Sequence, residues 1–218
     1  REQGYLPEAI CNYLALLGWS PGDDRENISM KELTELFTVE KVHSSPARFD
    51  MKKLEAINGD KIRALTLDEF LQWSLPFLTK ANVITGSDAE IALVKQALPL
   101  IQERIVKLDE VPAMLRFLFV KDFKVEESSL PKVTDSASKD VLKRSLAELK
   151  PLTTWNHESI EDALRTSLIE EMGLKPRIAF GAVRIATTGS TISPPLFESM
   201  ELLGQSTCIS RISAALSL

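Results

Sequence analysis

The stretch SPPLFESMELLG, residues 193–204, sets the fold class of this chain. A serine and two prolines come before an apolar run that holds two glutamates and ends at a glycine. Proline is favoured in the first turn of a helix and glycine just beyond the last turn, so the stretch predicts a helix with a firmly marked start. The preceding RIAFGAVRIATTGSTI, residues 177–192, carries arginines but no acid, and its helix breakers predict a short extended or irregular segment near 176–193.

Helical spacing of apolar residues continues through most of the chain. In each of the clearest stretches, apolar residues recur about every three or four positions, as they do on one face of a helix. These stretches are LPEAICNYLALLGW (6–19), SDAEIALVKQALPLIQERIVKL (87–108), DVLKRSLAELKPL (140–152) and SIEDALRTSLIEEMGL (159–174). Strand signals are few, so the predicted fold class is mainly α.

Several helix starts are marked by capping residues. Ser29 is followed three positions later by Glu32, which predicts a capping box. Ser87 or Asp88 is expected to cap a later helix, and Asp50 precedes another short helix.

Break signals predict where helices end. Asn58-Gly59 is expected to end the helix that follows Asp50, and Pro76 is expected to interrupt a helix that begins at Leu67. Residues 121–139 are polar and weakly patterned, which predicts a loop or linker. These signals divide the chain into three predicted helical parts: residues 1–79, 80–138 and 139–218.

Composition is ordinary for a globular protein of 218 residues, with a formal net charge of −5. No stretch approaches the roughly 18 apolar residues of a membrane span, and REQGYLPEAI at the start lacks the apolar core of a signal peptide. Cys11 and Cys208 are far apart, which fits no disulfide framework and favours a reducing compartment, so a cytoplasmic location is expected. The chain starts with Arg1 rather than Met, as expected of a fragment or a processed product.

Positive charge is concentrated in two regions of this acidic chain. Residues 41–63 hold six lysines and arginines against three acids, and residues 172–197 hold three against none. Two such regions fit a specific polyanion-binding surface, but charge alone leaves a chance fluctuation of the solvated surface open.

The sequence shows no catalytic, cofactor-binding or metal-binding residues. His43 and His157 are far apart and neither has a cysteine nearby, so a metal site is not supported. Neither of the common glycine-rich phosphate-binding loops is present. Glu170-Glu171 is better explained as a helix surface than as a general acid and base. Binding is therefore the favoured class of function.

Four stretches together are similar to the C-terminal half of the bacterial glutamyl-tRNA synthetase family. They are GYLPEAICNYLALLGWSPGDDRE, SSPARFDMKKLEAINGDKIRAL, ALPLIQERIVKLDE and KPRIAFGAVRIATTGSTISPPLFESMELLG. The resemblance spans nearly the whole chain in order and is weaker over about 121–140. It implies that 1–79 is a helical stem-contact domain and that 80–138 and 139–218 are two anticodon-binding subdomains.

The resemblance also implies what the whole enzyme does. The family's enzymes are class I ligases that join glutamate to tRNA-Glu with ATP and Mg²⁺, through a catalytic domain with an HIGH-type and a KMSKS-type motif. Neither motif occurs in this chain, so the isolated chain is not expected to be catalytic or to hold a cofactor. A cytoplasmic monomer that binds tRNA-Glu, but neither DNA nor a membrane, is the expectation.

The resemblance assigns candidate tRNA contacts. Residues expected to line anticodon base pockets are Arg184, Ser193, Pro194, Leu196 and Phe197. Hydroxyls, an arginine, close backbone approach at Gly189 and a helix start are groups that bind unstacked bases and phosphates. Residues expected to meet backbone phosphates are Arg48, Lys52, Lys61 and Arg63. Ordinary surface pairing with Asp50 and Asp60 stays open for this second set.

Arg104 falls where the family can place an arginine that reads the last anticodon base, C for glutamate and G for glutamine. A guanidinium only donates hydrogen bonds, so it suits cytosine acceptors and opposes the donor N–H groups of guanine. The alternative is that Arg104 pairs with Glu103, Asp109 or another acid on a helix surface.

Two other functions stay open. One is a helical protein-interaction module without RNA affinity, which salt dependence of RNA binding would exclude. The other is a free-standing enzyme with an unrecognised site, which the absent motifs disfavour.

Overall fold

The computed structural model describes residues 2–43 and 48–218. Within these residues the fold contains helices and no strands, which confirms the mainly α class. Residues 44–47, which include the start of the SPARFD motif, lie outside the described part. Contacts group the chain into two compact units, 1–113 and 114–218. The sequence-based division at 79/80 and 138/139 stays a prediction about functional domains.

The first unit contains helices α1 to α6 and the start of α7. Their bounds are α1 Pro7–Leu16, α2 Met30–Leu36, α3 Met51–Ala64, α4 Leu67–Lys80, α5 Asp88–Ala97, α6 Pro99–Gln102 and α7 Val111–Leu115. Short 3₁₀ turns cover Val39–Lys41 and Leu108–Glu110. α1 packs against α3, and α4 packs against α5.

The predicted capping residues Ser29, Asp50 and Ser87 are confirmed. Ser29 caps α2, because its Oγ accepts from the Glu32 N–H at 3.1 Å. The Glu32 carboxylate in turn accepts from the Ser29 N–H, which completes the capping box. Ser87, rather than Asp88, caps α5, and Glu90 completes the box. Both boxes satisfy N–H groups that have no partner inside the helix.

The predicted end of α3 at Asn58-Gly59 is wrong, because the helix continues to Ala64. Asn58 is buried, and its Oδ1 accepts from the Leu6 N–H at 2.8 Å. Its Nδ2 donates to the carbonyl of Val106 at 2.6 Å. The Asn-Gly pair is therefore explained by long-range hydrogen bonds of Asn58 and by close packing at Gly59, and it does not mark a turn of the chain.

The predicted interruption at Pro76 is also wrong, since α4 runs from Leu67 to Lys80 with the proline inside it. Proline removes one helical hydrogen bond, which normally destabilises a helix interior. Here Phe70 and Leu78 lie on either side of the proline and are completely buried. Packing of these two residues therefore stabilises the helix on both sides of Pro76, although one backbone hydrogen bond is missing.

The second unit is a helical bundle around one apolar core. Its helices are α8 Pro131–Thr134, α9 Ser136–Leu149, α10 His157–Leu164, a π-helix Arg165–Glu171, α11 Pro176–Thr188, α12 Leu196–Leu203 and α13 Gln205–Leu216. Short 3₁₀ turns cover Arg116–Leu118 and Glu127–Ser129. α9 packs against α11 and α13, and α10 packs against α12.

Two expectations in this unit are wrong. The segment expected to be extended near 176–193 is helical from Pro176 to Thr188, and only the residues after it are irregular. Ala179, Ala182, Val183 and Ala186 follow helical spacing and are buried, so packing outweighs the helix breakers. The loop expected over 121–139 is likewise helical from Pro131 onward, apart from Asp135.

Candidate nucleic-acid interface

A glycine fixes the turn after α11. Gly189 has a φ of +85°, a left-handed conformation that glycine adopts readily. A Cβ at this position would lie 3.0 Å from the Lys124 carbonyl oxygen and 3.3 Å from the Phe123 ring. The Gly189 carbonyl accepts from the Glu126 N–H at 2.9 Å. The chain can therefore turn tightly here and lead into α12.

Arg184 ties α11 to the loop that precedes α12. Its Nη1 donates to Ser193 Oγ at 2.5 Å and to the Pro194 carbonyl at 2.8 Å. Ser193 and Pro194 are buried, and Arg184 is half-buried. The structure thus brings together three of the residues predicted to form base pockets, with Arg184 bracing the loop.

Leu196 and Phe197 take different positions. Leu196 is only 4% exposed and belongs to the core, so it anchors α12 and does not form an open pocket wall as expected. Phe197 is half-buried and packs edge-on against Phe180, with ring centroids 5.2 Å apart. The first residue of an amphipathic helix can face inward, and here Leu196 does so.

A groove of about 640 Å³ opens beside Arg184. Its lining includes three cationic side chains, Lys132, Arg177 and Arg184, and one carboxylate, Asp135. Asp135 caps α9 and accepts hydrogen bonds from the Ser138 N–H at 3.0 Å and Oγ at 2.7 Å. The bond from the Ser138 N–H, followed by that from its hydroxyl, holds the pKa of Asp135 below its ordinary value. With three cationic side chains and one carboxylate, the lining of the groove therefore carries a net positive charge.

Sequence reasoning assigned neither Lys132 nor Arg177 to the site, although it counted Arg177 among the cations of the acid-free region 172–197. Lys132 lies in the segment expected to be a loop, and Arg177 in the segment expected to be extended. If 177–184 is treated as helical, Arg177 and Arg184 fall on one face because they are two helical turns apart. The acid-free composition was the signal that could have located the groove.

Arg211 is a second residue that the sequence did not single out. It is 7% exposed, and it donates from Nη1 to the Thr187 carbonyl at 2.7 Å and from Nη2 to the Phe117 carbonyl at 2.9 Å. Its guanidinium carbon lies 4.0 Å from the Phe123 ring centroid, and burial lowers the pKa of Arg211. Arg211 therefore holds the end of α11, from which the turn at Gly189 departs.

Arg104 lies in the first unit, just after α6, and is exposed. Asp109, one of its alternative partners, pairs with Lys107 Nζ at 3.6 Å. Across residues 2–43 and 48–218, no carboxylate lies within ion-pair distance of the Arg104 guanidinium. The acid pairing considered from the sequence is thus not found among those residues.

Lys61 is placed differently from the other predicted phosphate contacts. It is 8% exposed, and its Nζ donates to the Ile28 carbonyl at 2.7 Å. Burial lowers the pKa of the Lys61 ammonium. Lys52 is exposed on the opposite side of α3, because it precedes Lys61 by nine positions and nine positions correspond to about two and a half helical turns. Lys61 is therefore an interior group, contrary to the expected phosphate contact.

Arg48 and Lys52 are exposed, whereas Arg63 is half-buried. Arg63 forms an ion pair with Asp60, one of the two acids considered from the sequence. Asp50 caps α3 by accepting from the Lys52 backbone N–H at 2.9 Å. Of the four cations predicted to meet backbone phosphates, Arg48 and Lys52 are thus the two that are exposed.

Neither a metal centre nor a membrane span is found in the described chain. Outside Arg1 and residues 44–47, no group of three or more histidine, cysteine or acidic side chains could hold a metal ion. None of the helices in this same part combines the length and apolar character needed to cross a bilayer.

Two family models match the chain. The anticodon-binding domain model matches residues 66–216, and the model for the catalytic domain of class I tRNA synthetases (E and Q) matches residues 1–56. The first match covers the groove and the Arg184 loop. The second covers α1, α2 and the beginning of α3.

Glutamate–tRNA ligases are similar to nearly the whole chain. Those of Saccharopolyspora erythraea and Nocardioides sp. are 44% and 46% identical over 99% of the chain, which spans 44% and 45% of their lengths. A crystal structure of a glutamate tRNA ligase from Elizabethkingia meningosepticum, in complex with its amino acid, has a TM-score of 0.81 at 26% identity. It is matched over 98% of this chain and 41% of its own. The chain therefore belongs to the family of bacterial glutamate–tRNA ligases, and most of it is the anticodon-binding domain of that family.

Proposed function

We propose that this chain binds tRNA-Glu and that its second unit contacts the anticodon loop. The observation that carries the proposal is the positively charged groove beside the Arg184–Ser193–Pro194 brace. Proteins read single-stranded loops by packing against unstacked bases and bonding to their polar edges. A braced loop next to a cationic groove supplies both kinds of contact.

Arg184 has a defined part in this proposal. Its hydrogen bonds to Ser193 and Pro194 hold the loop in one conformation, which lowers the ordering cost of binding RNA. Phe197 offers the partly exposed aromatic surface, and Leu196 fixes the start of α12 from within the core.

Arg104 is the proposed reader of the last anticodon base. Its exposed guanidinium would donate to the acceptors of cytosine in tRNA-Glu and would face the donor N–H groups of guanine in tRNA-Gln. This residue therefore predicts a preference for tRNA-Glu.

The first unit is proposed to contact tRNA backbone phosphates through Arg48 and Lys52, with Arg63 as a weaker candidate because Asp60 engages it. Lys61 is left out because its ammonium bonds to an interior carbonyl. Such contacts position the RNA and do not distinguish sequences.

The chain spans less than half the length of the relatives that it matches. We propose that the whole protein would ligate glutamate to tRNA-Glu with ATP and Mg²⁺ as a cytoplasmic monomer. This chain alone would bind tRNA without charging it. No residue of the described part is assigned to ATP or Mg²⁺.

The test is binding of this chain to tRNA-Glu and tRNA-Gln transcripts at two salt concentrations. Phosphate contacts predict a steep loss of affinity as salt rises. Arg104→Gln is expected to reduce the preference for tRNA-Glu on the order of tenfold, the value of one base contact. Arg25→Gln, which removes another exposed arginine of the first unit, is the matched control and should leave the preference unchanged.

Two results would contradict the proposal. Equal binding of both tRNAs, unchanged by Arg104→Gln, would remove the reading role from Arg104. Absence of binding to either tRNA at low salt would instead favour a protein-interaction module without RNA affinity.

A further inference from the structure

One face of α11 carries two arginines with a glycine between them. Arg177, Gly181 and Arg184 stand at positions i, i+4 and i+7, which point to the same side of a helix. All three line the groove. The two arginine positions are separated by about 10 Å along the helix axis.

Gly181 leaves the helix backbone bare at the groove. A Cβ built on it would meet no heavy atom within 4 Å, and its φ is not in the left-handed region. Neither packing nor backbone conformation therefore requires glycine here, although glycine disfavours a helix interior. The fold alone gives no reason for the missing side chain.

The groove has the size and the chemistry for one nucleotide. Its volume of about 640 Å³ lies within the usual range for small-ligand sites. Lys132 and Arg177 supply exposed cations. Arg177 precedes Gly181 along the helix and Arg184 follows it, and both line the groove. Ile178, which is 53% exposed beside Arg177, adds an apolar surface for a base.

We propose that this groove seats one unpaired nucleotide of the anticodon loop, with its base lying on the bare backbone at Gly181 between Arg177 and Arg184. The phosphate of that nucleotide lies toward Lys132 and Arg177. This inference rests on the proposed RNA-binding function and names Lys132, Arg177 and Gly181 as additional contacts.

The test introduces a side chain at position 181. Gly181→Ala and Gly181→Leu place a side chain where the base would lie, and Ala214→Leu adds a leucine at an exposed helical position outside the groove. Each variant of the chain is titrated with a stem-loop RNA that carries the tRNA-Glu anticodon loop. A fully paired duplex of the same stem is the second probe, and thermal unfolding is followed in parallel.

The expected result is weaker binding by a protein that is no less stable. Gly181→Leu should lose on the order of tenfold in stem-loop affinity, because its side chain occupies the place of the base and one lost base contact costs about that much. Gly181→Ala should lose less, with an unchanged or higher melting temperature. Duplex binding, and both affinities of Ala214→Leu, should match the unchanged chain.

Other outcomes separate the two proposals. If Gly181→Leu binds the stem-loop as well as the unchanged chain while Arg184→Gln binds it weakly, the groove is not the nucleotide seat but RNA binding stands. If the unchanged chain binds neither RNA, the proposed function fails and this inference fails with it. A large loss of stability in Gly181→Ala would contradict the premise that the position is open.

Discussion

Helices α3 and α11 each contain a glycine in mid-helix, and the two glycines face opposite surroundings. A Cβ on Gly59 would lie 3.2 Å from Arg63 Nη1 and from Val106 Cγ1. A Cβ on Gly181 would meet nothing within 4 Å. The protein itself occupies the first space, so Gly59 serves packing. The second space stays open, so Gly181 points to a ligand.

The cations of the two helices differ in the same way. In α3, Lys61 bonds to an interior carbonyl and Arg63 pairs with Asp60. In α11, Arg177 and Arg184 both line an open groove. The two stretches carry the same net charge of +3, from six cations and three acids in residues 41–63 and from three cations and no acid in residues 172–197. The second stretch directs two of its cations toward a groove on the protein surface.

The largest expected effect concerns the packed helix. Asn58→Leu would leave the Leu6 N–H and the Val106 carbonyl without their partner inside the first unit. We expect a loss of about 3 kcal/mol in the free energy of unfolding, since each unsatisfied buried group costs roughly 1–3 kcal/mol. Urea unfolding followed by tryptophan fluorescence in a Trp155→Phe background reports on this unit. A loss below about 1 kcal/mol would contradict the role of Asn58 as an interior anchor.

The next prediction compares the two glycines directly. Gly59→Leu should reduce the free energy of unfolding by about 2 kcal/mol, because overpacking a filled site costs roughly 1–3 kcal/mol. Gly181→Leu should leave it unchanged or raise it by less than about 1 kcal/mol, because leucine is a better helix former than glycine. Urea unfolding of both variants measures the two changes in the free energy of unfolding. Equal losses would show that the two sites are equally packed.

A third prediction concerns the turn that leads from α11 to α12. Gly189→Ala places a Cβ in a left-handed conformation and 3.0 Å from the Lys124 carbonyl oxygen. We expect a loss of about 1–2 kcal/mol in the free energy of unfolding, the usual cost of a left-handed conformation for an L-residue with a Cβ. Weaker binding of the anticodon stem-loop should accompany it. A variant that keeps both stability and affinity would show that this turn does not position the Arg184 loop.

The smallest expected effect is a pH dependence in the second unit. The side-chain hydrogen bond to Glu201 raises the pKa of His157 above its ordinary value. The backbone N–H of His157, followed by its side-chain hydrogen bond, lowers the pKa of Glu201. A group with a raised folded-state pKa stabilises most below its unfolded-state pKa, about 6.5, and loses that effect as pH rises through the folded value. His157→Gln should therefore lower the melting temperature more near about pH 6 than near about pH 8.5. A difference that is constant or grows with pH would contradict this assignment.

Local sequence signals identified the capping residues well and the helix breaks poorly. A capping box depends on residues three positions apart, so Ser29 with Glu32 could be identified from the sequence. The continuation of α3 through Asn58-Gly59 depends on partners 48 and 52 residues away. Long-range contacts of this kind leave no local pattern.

The candidate site shows the same division. The resemblance to a known family located Arg184, Ser193 and Pro194, which the structure joins by hydrogen bonds. The sequence did not reveal that Leu196 and Lys61 face inward, because one residue type can lie on either side of a helix. Reading 177–192 as extended also hid the spacing that aligns Arg177, Gly181 and Arg184.

The most direct test of the account replaces the middle base of the tRNA-Glu anticodon by a photoreactive thiouridine and maps its crosslinks on this chain. The account predicts crosslinks to the groove and the braced loop, within residues 176–197. Crosslinks confined to residues 2–113, or crosslinks that persist when Arg184→Gln and Gly181→Leu are combined, would contradict it.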